Sequence, residues 1–325
     1  MLVIGYGSIG KRYIQNLSKI ANIEIFVLTN RKIDHFLKTK KCKIVKTITE
    51  AISVNLDFAI IANETNYHTK FVKKLVDSSI HVLIEKPLAN SLTGIDSILK
   101  TVKRKNLVTL MGYNLRFHPC ISKIKELIDK KKLGTIISVH VENGSYLPNW
   151  HPGEDYVKSY AARKELGGGV VLTSSHEIDY LYWFFGDVKE IFSITGKFSN
   201  LKTNIEDHSS ILLKFKNNIV AEVHLDYYQI PTSRYCKILT STGTLYWNFQ
   251  NNVVKFYSKK QQKWVILKKL SNYDYNQMYF DELKHFIKCI KYKSKSVNDI
   301  TQGAKTLEIA IGIKKSSMKK RSIKL

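Results

Sequence analysis

No run of 18 or more apolar residues occurs anywhere in the chain, so no segment is expected to cross a bilayer as a helix. Cysteine is scarce. Cys42, Cys120, Cys236 and Cys289 lie far apart, with no CxxC pair and no metal-ligand spacing. They are expected to be free thiols in a reducing compartment, and no metal site is expected. The apolar start Met1-Leu2-Val3-Ile4 runs straight into glycines, without the basic segment or cleavage site of a secretory signal. The cytoplasm is the expected location. Arginine is scarce too, with 7 residues against 45 lysines. Acidic residues number only 27, which leaves a formal net charge of +25. Base-edge and phosphate recognition favours arginine forks, and the lysines form no aromatic-interleaved block. Neither nucleic acid nor a membrane is therefore an expected partner. The excess reads as a compositional bias of the source genome, although it would help attract an anionic substrate.

What is present is an ordinary globular composition, 44% hydrophobic and 24% charged over 325 residues, enough for two domains with separate cores. Leu2-Val3-Ile4 leads into Gly5-Tyr6-Gly7-Ser8-Ile9-Gly10, and a helix is predicted over 11–20 from the spacing of Tyr13, Ile14 and Leu17. Strand, glycine turn and helix occur in the order of the dinucleotide fingerprint. Gly5 suits the tight turn, Gly7 the approach of a pyrophosphate, and Gly10 close packing of helix on strand. Ser8 and Ile9 would present free N–H groups at the helix start. After the second strand, 24–28, an acidic residue would favour NAD. The chain instead has Thr29-Asn30-Arg31 with Lys32 behind. Arg31 could accept the 2′-phosphate of NADP, or these residues could be solvated turn residues. The cofactor is expected to be NAD or NADP, with a lean to NADP.

Further strands at 44–45, 58–62 and 81–84 alternate with helices opening at Thr49 and spanning 69–78, the pattern of a parallel doubly wound sheet. Ligands of such sheets bind at the carboxyl ends of the strands. Besides the glycine loop, Asn63, Thr65 and His68 lie at one such end, and Glu85, Lys86 and Pro87 at another.

At Glu85-Lys86-Pro87 the chain resembles the glucose-fructose oxidoreductase, inositol dehydrogenase and rhizopine-catabolism family of NAD(P)-dependent sugar dehydrogenases. The segments GYGSIG (5–10), ANETNYH (62–68), HVLIEKPLA (81–89), GYNLRFHP (112–119), LGTIISVH (133–140) and LGGGVVLTSSHEIDYL (166–181) carry the resemblance, with a C-terminal helix around 306–317. The stretch 149–169 is similar to a branch associated with bacterial surface-glycan biosynthesis. The resemblance implies that Lys86 stands beside the nicotinamide and the reacting carbon. A lysine beside that positive ring gives up its proton more readily. It also implies a cis bond before Pro87, and His176 as general base or acid facing the reacting hydroxyl. The family commonly has an Asp one helical turn before the His, where this chain has Thr173. That residue can hydrogen-bond a sugar but cannot ionise. Asp179 is expected to be structural.

The implied architecture is α/β: a Rossmann domain over 1–118 and an α+β domain over 119–325 with a large, mainly antiparallel open sheet. Strand-like alternation marks 135–143, 189–199, 207–216, 219–228, 235–241, 244–249 and 252–258. A lysine-rich helix is predicted over 120–133, ended by Gly134, and closing helices over 273–291 and 302–318, the last expected to pack back toward the first domain. Lys319-Lys320-Arg321 is expected to be a solvated tail. Asn114, Arg116, Tyr160 and Arg163 are substrate-pocket candidates with Thr173 and His176, and Trp150-His151 a covering loop. The implied activity is hydride transfer to or from a sugar or nucleotide sugar, by a homodimer or homotetramer joined through the sheet. Redox-assisted glycoside cleavage and a non-catalytic cofactor-binding sensor remain open.

Overall fold

In the computed structural model, residues 1–20 and 23–325 are described. The first part of the chain alternates strands and helices. These are β1 (Leu2–Ile4), α1 (Ser8–Leu17), β2 (Phe26–Leu28), α2 (His35–Thr39), β3 (Lys43–Val45), α3 (Ile48–Ser53), β4 (Phe58–Ile61), α4 (His68–Asp77), β5 (His81–Glu85), α5 (Ile95–Arg104) and β6 (Thr109–Gly112). Next come α6 (Pro119–Asp129), β7 (Ile136–Gly144), α7 (Val170–Thr173), α8 (His176–Phe185), β8 (Val188–Gly196), β9 (His208–Phe215) and β10 (Val220–Asp226). The chain closes with β11 (Ser233–Thr240), β12 (Gly243–Asn248), β13 (Val253–Ser258), β14 (Lys263–Lys269), α9 (Asn276–Lys291), α10 (Ile300–Lys319) and β15 (Ile323–Lys324).

Two compact units result: Met1–Asn114 with Tyr275–Leu307, and Leu115–Asp274 with Glu308–Leu325. The chain therefore returns to the first unit through α9 and the start of α10, and no single boundary separates the two. The first unit carries a six-stranded sheet of order β3-β2-β1-β4-β5-β6. Every pairing in it is parallel. Order reverses between β1 and β4, so the crevice at their carboxyl ends is the topological switch point. Strands 58–61 and 81–85 are buried on both faces, which explains why they read as continuous apolar runs without alternation. In α1, Tyr13, Ile14 and Leu17 are fully buried in a core shared with Val3, Ile60, Leu83 and, from α9, Leu283 and Phe286.

The second unit is built on a nine-stranded sheet of order β14-β13-β12-β11-β7-β10-β9-β8-β15. Only the β7–β10 pair is parallel. Burial alternates strictly along β9. Ser209, Ile211, Leu213 and Phe215 of β9 point inward, while Ser210, Leu212 and Lys214 are exposed. β14 was not among the expected strands, because its inward set is weak and its lysines flank Trp264 on the outer face. The terminus also departs from expectation. Lys319, Lys320 and Arg321 are exposed, but Ile323 and Lys324 add an edge strand to β8. The helix predicted to run to Gly134 stops at Asp129, and Gly134 takes a left-handed conformation (φ 71°) before β7. Among the described residues no helix is long and apolar enough to cross a membrane.

Candidate active site

In the first unit, the glycine loop has the geometry its sequence required. Gly5 has φ 97°, and a Cβ there would lie 2.7 Å from the Ala62 carbonyl oxygen. A Cβ on Gly10 would sit 2.2 Å from the Gly5 carbonyl oxygen, so only glycine lets α1 descend onto β1. Around Gly7 the space is open, with no atom within 4 Å of where its Cβ would lie. Ser8 and Ile9 open α1 behind it, with Ile9 packed against the core. A free approach to backbone at a helix N-terminus is what a pyrophosphate needs, so these residues fit a dinucleotide. At the end of β2, Asn30 and Arg31 are exposed, and the Arg31 N–H donates to Thr29 Oγ1 at 3.2 Å. Asp34, further on, caps α2 by accepting from the Leu37 N–H (3.0 Å). The Tyr6 hydroxyl donates to the same carboxylate at 2.8 Å, and these two hydrogen bonds hold Asp34 below the usual carboxylate range.

Lys86 leaves the carboxyl end of β5 through a cis Lys86–Pro87 peptide. His68 is buried beneath this turn. Its Nδ1 lies 2.9 Å from the Pro87 carbonyl oxygen and its Nε2 2.9 Å from that of Asn63. The ring thus ties the loop after β4 to the loop after β5, while burial pushes its protonation to lower pH. His68 was expected to touch the cofactor. At 1% exposure, with both nitrogens on backbone carbonyls, it is a brace between the loops after β4 and β5 instead. Thr65 is also buried, opening a short 3₁₀ turn.

Glu85 calls for a similar correction. Its Oε1 accepts from the Tyr13 hydroxyl at 2.8 Å, and its Oε2 from the Lys86 N–H at 3.1 Å. The same phenol lies 3.0 Å from Glu282 Oε2 of α9. Burial raises the Glu85 carboxyl above its ordinary range, partly offset by the Tyr13 hydrogen bond and by Lys86. This carboxyl faces the interior and fixes the backbone from which Lys86 projects. Sequence reading placed Tyr13 correctly as a buried helix residue but gave no sign of its hydroxyl's role, and Glu282 carried no signal beyond lying in a helix.

In the second unit, Gly167-Gly168-Gly169 leads into α7, packed against the Glu206 carboxylate. Glu206 is buried, pairs with Lys314 of α10 at 3.0 Å, and is raised by burial above the usual carboxylate range. Thr173 ends α7 and His176 begins α8, with Ser174 and Ser175 forming a turn between them. The two residues therefore do not share one face of a continuous helix, as their spacing had suggested. Thr173 is buried at 5% and His176 half-buried.

Arg116 is not offered to a substrate. Its Nε and Nη2 reach both oxygens of Asp179 at 2.9 and 2.8 Å, and the two side chains are 0% and 1% exposed. The guanidinium also lies over Trp183. This forked pair locks the segment after β6 onto α8, and Asp179 is structural as expected. Arg163 is half-exposed and pairs with Glu165 at 2.6 Å. Tyr160 lines a small cavity with Leu147, Trp150, His151 and Tyr156, so the expected loop and one substrate candidate do come together. Asn114 is buried at 5%.

Two family descriptions match this chain. Residues 1–113 match the oxidoreductase family with an NAD-binding Rossmann fold, and 121–246 match the GFO/IDH/MocA C-terminal domain. The chain belongs to the GFO/IDH/MocA oxidoreductase family. It is an NAD(P)-dependent oxidoreductase acting on CH–OH groups. It is 25% identical to a myo-inositol 2-dehydrogenase of Thermotoga maritima, over 99% of this chain and 97% of the relative. Levoglucosan dehydrogenase in complex with NADH superposes with a TM-score of 0.88 at 16% identity, covering 99% of this chain and 98% of that one. A UDP-N-acetylglucosamine 3-dehydrogenase from Acidithiobacillus ferrooxidans gives 0.80 at 17% identity, over 97% and 96%. At these identities the two superpositions establish a shared fold.

Proposed function

We propose that this protein transfers a hydride between nicotinamide and a carbinol or carbonyl carbon of a sugar, nucleotide-linked or otherwise polar, with Lys86 and His176 handling the proton. The observation that carries the reading is the placement of Lys86. It emerges at the carboxyl end of β5, next to the switch-point strand β4, on a turn tied by His68 to the loop after β4. The bound cofactor supplies or accepts the hydride. The protein's own part is to fix Lys86 through the Glu85–Tyr13 contact and to present an ionisable imidazole at the start of α8. Relatives named for inositol, levoglucosan and a UDP-linked amino sugar support a polyhydroxy substrate. The lysine excess favours an anionic, nucleotide-linked one, and surface-glycan synthesis in the cytoplasm is the setting that fits. The cofactor reading leans to NADP through Arg31, with Asn63, Thr29 and Asn30 lining its site.

The assembly is a homodimer or homotetramer joined through the sheet. Its outer face carries exposed Phe192, Ile194, Leu212, Val220, Trp264 and Ile266, more apolar surface than a lone monomer ordinarily leaves bare. Size-exclusion chromatography of Leu212→Glu tests this, and an unchanged oligomer would refute it.

For the reaction, a panel of nucleotide sugars, free sugars and polyols would be incubated with each cofactor, following nicotinamide absorbance and product mass. Lys86→Ala and His176→Ala should each reduce turnover roughly 10²–10⁴-fold, the usual worth of a positioned acid or base. Cofactor affinity should stay near that of the unaltered protein. Binding of cofactor and sugar without turnover would identify a sensor, and cleavage of a glycoside with no net cofactor change would identify a redox-assisted glycosidase.

A further inference from the structure

The residue directly after His176 is Glu177, and its side chain is completely buried. Buried carboxylates need partners, and the sheet provides them. Arg234 Nε on β11 donates to Glu177 Oε1 at 2.7 Å. Asn143 Nδ2 on β7 donates to Oε2 at 3.1 Å. Arg234 and Asn143 are cross-strand partners in the β11–β7 ladder, so two adjacent strands grip the two oxygens of one carboxylate in the first turn of α8. The Arg234 side chain is itself only 15% exposed. It lies over the Phe249 ring, and its Nη2 is shut off from solvent with no hydrogen-bond partner among the described residues. The charge of this arginine is therefore balanced chiefly by Glu177.

From this geometry we infer that Glu177, Arg234 and Asn143 form a clamp that positions His176, with Glu177 and Arg234 balancing each other's charge beside it. The inference rests on the reading of His176 as the proton-handling residue and adds three positioning residues to it. None of the three is proposed to touch substrate. Among the described residues, titratable groups that feel the charges of the clamp are Tyr180 of α8, Cys236 of β11 and His118. Burial is the main cause that raises Tyr180 and Cys236 and lowers His118, with the Glu177 charge adding to the first two and the Arg234 charge to the third. All three are uncharged near neutrality, so they do not offset either member of the pair.

The consequence is a signed one. Glu177→Gln leaves the Arg234 cation unopposed and should move the His176 limb of the pH–rate profile to lower pH. Arg234→Met leaves the carboxylate unopposed and should move it to higher pH. Each shift should be roughly half a unit to one unit, as expected for a partly shielded neighbouring charge. In the double variant Glu177→Gln with Arg234→Met the limb should return toward its original position. Turnover should fall about ten- to hundredfold in the single variants, the scale of a small misplacement, with the KM for cofactor little changed. Arg234→Lys, which keeps the charge, should keep the limb in place and recover most of the turnover.

The experiment measures pH–rate profiles of all four variants alongside His176→Ala, with folding checked by near-UV circular dichroism. If His176→Ala keeps both turnover and the limb, the reading of His176 itself fails. If His176→Ala abolishes the limb while the two single variants leave it unmoved, or move it in the same direction, the clamp is only a structural ion pair and the inference is overturned. Should a single variant not fold, Arg234→Lys and the double variant still decide. A limb displaced by more than half a unit in either would refute the charge-balance argument.

Discussion

Removing one hydroxyl, Tyr13→Phe, tests how the Lys86 turn is held. The phenol of Tyr13 is fully buried and stands between two carboxyls, 2.8 Å from Glu85 and 3.0 Å from Glu282. It has a single hydrogen to donate, so in the folded state one acid must carry a proton for both contacts to be satisfied at once. Phenylalanine preserves the ring and its edge-on contact with Tyr279, and so creates almost no cavity. What is lost is hydrogen bonding to buried carboxyl acceptors, which should cost about 2–4 kcal/mol. The pH dependence has a definite sign. Glu85 is raised in the folded chain above its ordinary 4.5, so its proton is bound more tightly there than in the unfolded chain. That stabilisation is fully present below about 4.5 and is lost as pH rises through the folded value. Tyr13 opposes the upward shift, so Tyr13→Phe should raise Glu85 further and steepen the loss of stability toward neutral pH. Glu85→Gln should flatten it. Urea unfolding without cofactor, at several values between about pH 5 and pH 8, would read both effects as shifts in midpoint at constant slope. A Tyr13→Phe midpoint equivalent to less than about 0.5 kcal/mol of loss throughout, the scatter of ordinary surface substitutions, would show that the phenol does not bridge the acids. A steeper profile for Glu85→Gln would refute the assignment of the buried proton.

Gly7→Val should abolish nicotinamide dinucleotide binding while leaving the fold intact, because its side chain enters space that no protein atom occupies; calorimetric titration showing unchanged affinity would sink the cofactor assignment. Arg31→Ala should weaken NADPH far more than NADH, and equal losses, or an original preference for NADH, would mark Arg31 as a turn charge only. Arg116→Ala should destabilise by about 3–5 kcal/mol, since it strands Asp179 without its charge partner in a closed site. A thermal midpoint within a degree or two of the unaltered protein would contradict that burial.

The fold was legible because its strongest signals are local and repetitive. Three glycines at fixed spacing, buried parallel strands without alternation and helices with one apolar face identified the first unit. Strict alternation identified most of the second. Legibility failed where long-range closure decides the structure. Nothing local in 276–307 announces that α9 belongs with the first unit, because its apolar face, Leu283 and Phe286 among it, would suit any core. β14 and β15 are edge elements whose pairing comes from a neighbour's exposed backbone rather than from their own pattern. Even the turn at Ser174-Ser175 is invisible to a helical count, although it separates Thr173 from His176.

The site divides in the same way, and the division has a physical cause. Residues whose place depends on having no side chain, such as Gly5 in its turn and Gly10 against β1, betray themselves by what they lack. Polar residues are ambiguous, since the same side chain can face a ligand or satisfy the interior. Among the candidates, His68, Glu85 and Arg116 were expected to face ligand, and each proves to be spent on a partner within the protein. Each stands directly behind a loop that does face outward. His68 holds the loops after β4 and β5, Glu85 holds the Lys86 backbone, and Arg116 holds α8, which begins with His176. A loop carrying reactive groups cannot be braced by apolar packing alone, because its backbone donors and acceptors must also be satisfied. Buried polar side chains behind the loop, such as His68 and Glu85, meet that need. Polar character in a motif therefore marks the neighbourhood of chemistry more dependably than it marks the reacting residue, and only burial and partners distinguish the brace from the tool.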